Sequence, residues 1–357
     1  MKSIFFAKFS ESGAMKLNFK ENNGQVDEII AQLIGLAGNI HRPHIVREMV
    51  LASLKAGQED EGQVDLKLMN TSLKEMRYTA KVFRNYRDIK KVTAFGSART
   101  LPSEPIYQMA RDFGKKLARA GYMVITGGGP GIMQAVNEGA GPDRSFAVKI
   151  QLPFERQPNS VINEDSKVIL YKYFFNRKVA FLKESDAAVL FPGGFGTLDE
   201  AMETLTLVQT GKRNPLPIIL VDEPGGNYWK DWIRFAKQEL LTKGYIAASD
   251  LKLFESVDAV DDAVARITRF YRRYHSLRYV GNQLLIRLNS EISKSAVETL
   301  KRNFSDMLSP GGDICLSGQF PEEVDETDIG HLPRLVVDFN RCDFGRLKEF
   351  IDAVNNA

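Results

Sequence analysis

Two glycine-rich turns carry residues whose types and spacing suit phosphate chemistry. Thr126-Gly127-Gly128-Gly129-Pro130-Gly131-Ile132-Met133 sets four glycines between a β run and a helical pattern. Glycine leaves backbone N–H groups uncovered, so a phosphate or sugar can approach the main chain and the next helix N-terminus. The competing reading is a tight turn that only serves packing. In Pro192-Gly193-Gly194-Phe195-Gly196-Thr197-Leu198-Asp199-Glu200, backbone N–H groups and the Thr197 hydroxyl would suit a phosphate anion. Glu200 then falls on the first turn of the following helix. A carboxylate there either compensates the helix dipole or faces the reacting carbon of a substrate, and spacing leaves both readings open. Neither turn is a dinucleotide fingerprint, because Ile132 and Asp199 stand where the third glycine should be. Gly211-Lys212 lacks the upstream glycine and the following Ser/Thr of a P-loop.

These turns need strands before them and helices after them, and the hydrophobic period supplies both. Short apolar runs at 91–95, 122–126, 146–152, 168–171, 187–191 and 217–221 read as strands. Helical patterns between them cover 104–120, 131–140, a stretch through Lys183, 197–210 and 228–243. Strands alternating with helices predict a doubly wound, mainly parallel α/β sheet, which places ligands at the turns that follow its strands. Before this lies a helical N-terminal region, 1–89, with helical spacing over 26–56, a loop at 57–62 and a capping box at Ser72-x-x-Glu75. This α/β domain is expected over 90–278. After a pause near 276–282, strands at 283–288, 313–316 and 334–339 and helices at 296–307 and 344–354 predict a small α/β C-terminal domain, 281–357.

Length and composition narrow the function class. The 357 residues suit about two domains. A 43% hydrophobic and 26% charged composition excludes a mainly disordered or collagen-like chain. The formal charge of +3 gives no general electrostatic argument for nucleic acid. Two cysteines, Cys315 and Cys342, exclude a disulfide scaffold and a multi-cysteine metal centre, and suit a reducing cytoplasm. The apolar run Ile4-Phe5-Phe6-Ala7 is cut by Lys8 and is too short for a signal-peptide core. No window approaches the roughly 18 apolar residues of a membrane span, so no membrane association is expected. The histidines His41, His44, His275 and His331 form no ligand set with cysteines or acidic residues, so no metal is expected. Ser97 has no evident histidine base, and Tyr271-Arg272-Arg273-Tyr274 reads as the packed end of a helix.

PGGFGTLDE matches the PGGxGTxxE signature of the LONELY GUY (LOG) family, the cytokinin riboside 5′-monophosphate phosphoribohydrolases. Phe95-Gly96-Ser97-Ala98-Arg99, the GGGPGIM run, Leu152-Pro153-Phe154-Glu155, Phe175-Asn176-Arg177-Lys178 and Ser185-Asp186-Ala187 resemble blocks of bacterial members in the same order. The resemblance covers about Thr71 to Phe270. It implies a Rossmann-like α/β sandwich in a homodimer or higher homo-oligomer. It also implies hydrolysis of the N-glycosidic bond of a nucleoside 5′-monophosphate to free base and ribose 5-phosphate, without metal or cofactor. Carried over residue by residue, it makes Arg177 and Glu200 the catalytic pair and Gly193, Gly194, Gly196 and Thr197 the phosphate loop. Glu155, Lys178 and Thr206 fall at nucleotide-contacting positions, and Gly96, Ser97, Gly127, Gly128 and Gly129 would line the cleft. A carboxylate beneath the anomeric carbon would stabilise positive charge on the ribose and orient or deprotonate water.

A non-catalytic nucleotide or molybdenum-cofactor carrier of similar fold is the alternative, against which the presence of both Arg177 and Glu200 argues. The label of lysine decarboxylase often given to such sequences would require a Schiff-base lysine with a pyridinium partner, and no local motif supplies that set.

Overall fold

The computed structural model describes residues 19, 24–59, 62–152, 159–162 and 166–357. Ile4 to Ala7 and Glu155 lie outside the described residues. The chain divides into two units, Met1–Lys74 and Glu75–Ala357. In the first, the helical stretch expected over 26–56 is two helices, α1 (Gln25–Ala37) and α2 (Pro43–Glu59). Gly38 and Asn39, both at positive φ, end α1, and Pro43 occupies the first helical position of α2. Arg47 clamps Asp27 with two parallel hydrogen bonds of 2.8 and 2.9 Å. The expected loop begins later than read, because α2 continues to Glu59. α3 (Val64–Phe83) passes through Ser72-x-x-Glu75, so these residues are mid-helix and form no cap. The polar–apolar repeat of α3 simply extends further back than the capping pattern suggests.

The second unit contains, in chain order, β1 (Lys91–Phe95), α4 (Pro105–Arg119), β2 (Met123–Thr126), α5 (Ile132–Ala140), β3 (Ser145–Ile150) and β4 (Val168–Tyr171). α6 (Phe174–Lys183), β5 (Ala187–Leu190), α7 (Phe195–Gln209), β6 (Ile218–Val221), α8 (Tyr228–Phe235), β7 (Glu255–Val257) and α9 (Val260–Phe270) follow. Among the described residues these strands form a sheet of order β4-β3-β2-β1-β5-β6-β7, with every neighbouring pair parallel. The protein therefore has the doubly wound, Rossmann-like α/β fold.

Every residue of β1, β2, β5 and β6 is buried, as a sheet covered on both faces requires. Alternate residues feed two cores. Val92, Val124, Val189 and Ile219 pack with α4, α5 and α9, through Phe113, Val136 and Ile267 among others. Phe95, Ile125, Leu190 and Leu220 pack with the end of α3 and with α6, α7 and α8, through Phe83, Phe181, Val208 and Trp229. Full burial of each such aliphatic or aromatic side chain stabilises the fold by roughly 1.5–3 kcal/mol. α8 does not run to 243 as a regular helix. Its continuation, Ala236–Leu241, is wound more widely, with Thr242 N–H reaching Lys237 O.

The same unit contains a second, antiparallel sheet. β8 (Tyr274–Val280), β9 (Gln283–Leu288), α10 (Lys294–Asn303), β10 (Ile314–Ser317), β11 (Arg334–Val337) and α11 (Phe344–Asn356) follow in order, with the strands arranged β10-β11-β9-β8. β8 occupies the stretch read as a pause. It lies at the sheet edge with only Tyr274 and Leu277 buried, so the period-two signal of a half-buried strand is missing. Gly281-Asn282 turns β8 into β9, with Gly281 at φ 57°. The core of this sheet includes Leu284, Ile286, Leu335, Phe350 and Ile351.

Candidate active site

β2, β3 and β4 succeed one another to one side of β1, whereas β5 is laid on its other side. Connections from β1 and β5 leave in opposite directions, which opens a crevice beyond their carboxyl ends. The turns after β1, β2 and β5 meet there. Ser97 N–H donates to Pro192 O at 3.0 Å, and Ser97 O accepts from Ile132 N–H at 3.0 Å. Close approach explains two of the glycines. Gly131 has φ 68°, and a Cβ on it would lie 2.2 Å from Ser97 O. A Cβ on Gly193 would lie 2.1 Å from Thr197 Oγ1 and 3.0 Å from Ser97 N. Gly194 and Gly196 differ, since a Cβ on either would meet nothing within 4 Å. Their lack of side chains keeps the mouth of the crevice open.

The crevice is a cleft of about 910 Å³. One part of its lining is polar: Ser97, Arg99, Arg177, Thr197 and Glu200. Met133, Ile150, Phe174, Phe181 and Leu198 make the rest largely apolar. α7 begins beside it at Phe195, with Gly194 O already accepting from Thr197 and Leu198 N–H groups. The Phe195 and Gly196 N–H groups ahead of these have no acceptor within the helix and stand at the positive end of its dipole.

Glu200 stands on the second turn of α7, five residues from its start, and is only 3% exposed. Arg177, on the first turn of α6, brings Nη2 to 3.9 Å from Glu200 Oε1, and Lys178 brings Nζ to 3.7 Å from Oε2. Neither separation is a hydrogen bond. Among the described residues, Glu200 Oε2 and Arg177 Nε are buried without a hydrogen-bond partner. Buried polar atoms are normally paired, so both atoms retain hydrogen-bonding capacity for water or another polar group in the cleft. Burial pushes the Glu200 carboxyl up to about 7, against the lowering pull of Lys178 and Arg177. Burial likewise pulls the Arg177 guanidinium down, with Glu200 and Asp199 opposing. Lys178 is also drawn down by burial, but hydrogen bonds to Glu203 and Asp199 outweigh this and raise it.

Distant parts of the chain fix this geometry. Glu75 on α3 accepts from Lys172 N–H at 2.6 Å and from Asn176 Nδ2 at 2.7 Å, which pins the start of α6. The Arg177 guanidinium lies over the rings of Phe174 and Phe181, 5.1 and 5.5 Å from their centroids. Thr204 Oγ1 donates to Glu200 O at 2.7 Å. The Thr126 hydroxyl accepts from Gly128 N–H and donates to Asn137 Oδ1, which shapes the turn after β2.

Of the residues expected at the site, Gly96, Ser97, Gly127, Arg177, Gly193, Gly194, Gly196, Thr197 and Glu200 line this one cleft. Gly128 instead packs on Ala147 and Lys149, and Gly129 lies over Met133. Lys178 sits behind Glu200, paired with Asp199 and Glu203. Thr206 is exposed and outside the cleft lining, because six residues beyond Glu200 is about 1.7 turns, which faces it elsewhere. Phe174, Met133 and Tyr228 were not anticipated. Tyr228 begins the helix after β6, and that place at a strand's carboxyl end was the available signal.

Comparison with known proteins finds the same segment. A family described as a possible lysine decarboxylase matches residues 130–267. A cytokinin riboside 5′-monophosphate phosphoribohydrolase of Mycobacterium tuberculosis is 29% identical over 161 residues, 44% of this chain and 83% of the relative. The enzyme of that name from Oryza sativa subsp. japonica is 24% identical over 168 residues, 46% of this chain and 67% of the relative. Among solved structures, the molybdenum cofactor binding protein of Rippkaea orientalis aligns at 20% identity and a TM-score of 0.35, over 50% of this chain and 94% of that one. The resemblance to the LOG family carried by the motifs is thus borne out over the central part of the chain.

Proposed function

We propose that this protein hydrolyses the N-glycosidic bond of a nucleoside 5′-monophosphate, such as AMP or a cytokinin ribotide, to free base and ribose 5-phosphate. The observation that carries the reading is the pairing, on one helix, of an anion-binding end with a buried carboxylate whose Oε2 has no hydrogen-bond partner. Thr197 and the open glycines Gly194 and Gly196 stand at the start of α7, and Glu200 follows about 7 Å along its axis. A phosphate held at the helix start lays the attached ribose along the first turn, so its anomeric carbon approaches Glu200. The names of the sequence relatives support the same reaction.

The chemistry then follows from the groups present. Rupture of the C1′–N bond leaves positive charge on the ribose ring, and the Glu200 carboxylate, itself only 3% exposed, opposes that charge. Its carboxyl at about 7 is poised to take a proton from the attacking water. The water oxygen bonds to C1′ as its proton passes to Glu200, the C1′–N bond electrons leave with the base, and the proton released from Glu200 completes the base. Arg177 supplies positive charge beside Glu200, either to the phosphate or to the departing base. Met133, Ile150 and Phe174 offer an apolar surface for the base. Phosphate binding remote from the broken bond lowers the entropic part of the barrier.

The test is chromatography of the protein incubated with AMP, GMP, IMP, CMP, UMP and isopentenyladenosine monophosphate. Free base from at least one of them is expected. Stoichiometric binding with no base from any would replace the hydrolase with a carrier.

A further inference from the structure

We infer that Tyr228 is a positioning residue that sets the phosphate loop, an inference that rests on the nucleotide-binding reading of this cleft. Three successive carbonyls of the loop are turned into the protein. Pro192 O accepts from Ser97 N–H at 3.0 Å, Gly193 O accepts from the Tyr228 hydroxyl at 2.7 Å, and Gly194 O accepts from Thr197 and Leu198 N–H at 3.0 and 3.2 Å. In a planar trans peptide the N–H points opposite to the C=O. Holding those carbonyls back therefore turns the N–H groups of Gly193, Gly194 and Phe195 the other way. Such a run of N–H groups forms an anion-binding concavity. Glu200 provides independent evidence that the cleft is built for a ligand, being 3% exposed with Oε2 lacking a hydrogen-bond partner.

Of the three restraints, two belong to the backbone and only the middle one comes from a side chain. It is also the one most needed. The Gly193–Gly194 peptide is flanked by two residues without Cβ atoms, so little else resists its rotation. Rotated by half a turn, it would aim a carbonyl oxygen where the phosphate binds. Tyr228 is firmly seated for the task. The neighbouring Trp229 is fully buried, donates from Nε1 to Val221 O at 3.1 Å and from its N–H to Asp222 Oδ2 at 3.3 Å, and meets the Tyr228 ring edge-on at 4.8 Å. The start of α8 is thereby anchored to the end of β6, and the tyrosine reaches sideways to the loop after β5.

Tyr228→Phe keeps the ring and removes only the hydroxyl. With one hydrogen bond lost, the KM for AMP and the Kd for ribose 5-phosphate should rise about 5–10-fold. kcat should change less than about 2-fold, the Kd for adenosine, which has no phosphate, should hold, and the melting temperature should stay close to wild type. Steady-state kinetics and titration calorimetry on the full chain read these values. An unchanged Kd for ribose 5-phosphate would overturn the inference, as would equal weakening of adenosine and AMP. If wild-type protein releases no base yet binds ribose 5-phosphate, and Tyr228→Phe weakens that binding, the positioning role stands and the hydrolase reading falls. If wild type hydrolyses AMP and Tyr228→Phe matches it in every constant, the reverse holds. No binding and no hydrolysis by wild type would remove both.

Discussion

Replacing Glu200 with glutamine exchanges a carboxyl group for an amide of nearly the same shape that cannot ionise. In the folded protein burial lifts this carboxyl from an ordinary 4.5 to about 7. At about 1.4 kcal/mol per pKa unit, that displacement corresponds to roughly 3 kcal/mol. The sign follows from proton binding. Between pH 4.5 and 7 the folded protein holds a proton that the unfolded chain has released, so wild-type stability falls as pH rises through that window. Above pH 7 the wild type bears the full cost of a buried carboxylate, whereas below pH 4.5 it bears none. Glu200→Gln should therefore match wild type near pH 4.5 and exceed it by up to about 3 kcal/mol at pH 8. At roughly 1–2 °C per kcal/mol for a chain of this length, its melting temperature should rise by roughly 3–6 °C at pH 8. Base release should meanwhile fall at least about 100-fold. Thermal denaturation at both pH values, with chromatographic assay of base, measures all of this. A variant that is less stable than wild type at pH 8, or equally shifted at both pH values, would refute the reasoning.

Three further expectations concern the pH profile, the glycine turn before α7 and the antiparallel sheet. kcat/KM should rise about tenfold per pH unit below 7 and level off above it, as Glu200 ionises; Arg177→Met, which removes a charge that lowers Glu200, should move that limb to higher pH as well as slow the reaction, and a flat profile from pH 5.5 to 8 would exclude Glu200 as the titrating group. Gly193→Ala should destabilise the protein by about 1–3 kcal/mol, because its Cβ would collide with Thr197 Oγ1, whereas Gly194→Ala, with open space and φ −87°, should fold with wild-type stability; melting curves of the pair check this. In the antiparallel sheet, Glu323 lies fully buried between Arg334 and Arg287, so Glu323→Ala should cost roughly 3–5 kcal/mol by leaving the buried Arg334 with backbone carbonyls but no carboxylate and Arg287 with Glu326 alone, as denaturant unfolding would measure.

The reach of sequence reasoning differed between elements for physical reasons. β1, β2, β5 and β6 could be read because a strand buried on both faces is an apolar run and a glycine turn closes it. Edge strand β8 could not, because half-burial left only Tyr274 and Leu277 as buried marks. Ser72-x-x-Glu75 had the spacing of a cap, yet Glu75 serves the start of α6 about a hundred residues later, a partnership that no local pattern encodes. Tyr228 and Gly193 are likewise joined only by the fold. For Glu200 the sequence left dipole compensation and a substrate-facing carboxylate both open. Its burial, and the approach of Arg177 and Lys178 from α6 without a hydrogen bond, are set by the fold and not by any local pattern.

The most direct measurement of the central claim is the product balance from AMP, quantifying adenine, ribose 5-phosphate and orthophosphate for wild type and Glu200→Gln side by side. Adenine and ribose 5-phosphate in equal amounts from wild type, no orthophosphate, and neither product from the variant is the expected result. Orthophosphate as the product, or equal product from the folded variant, would contradict the account.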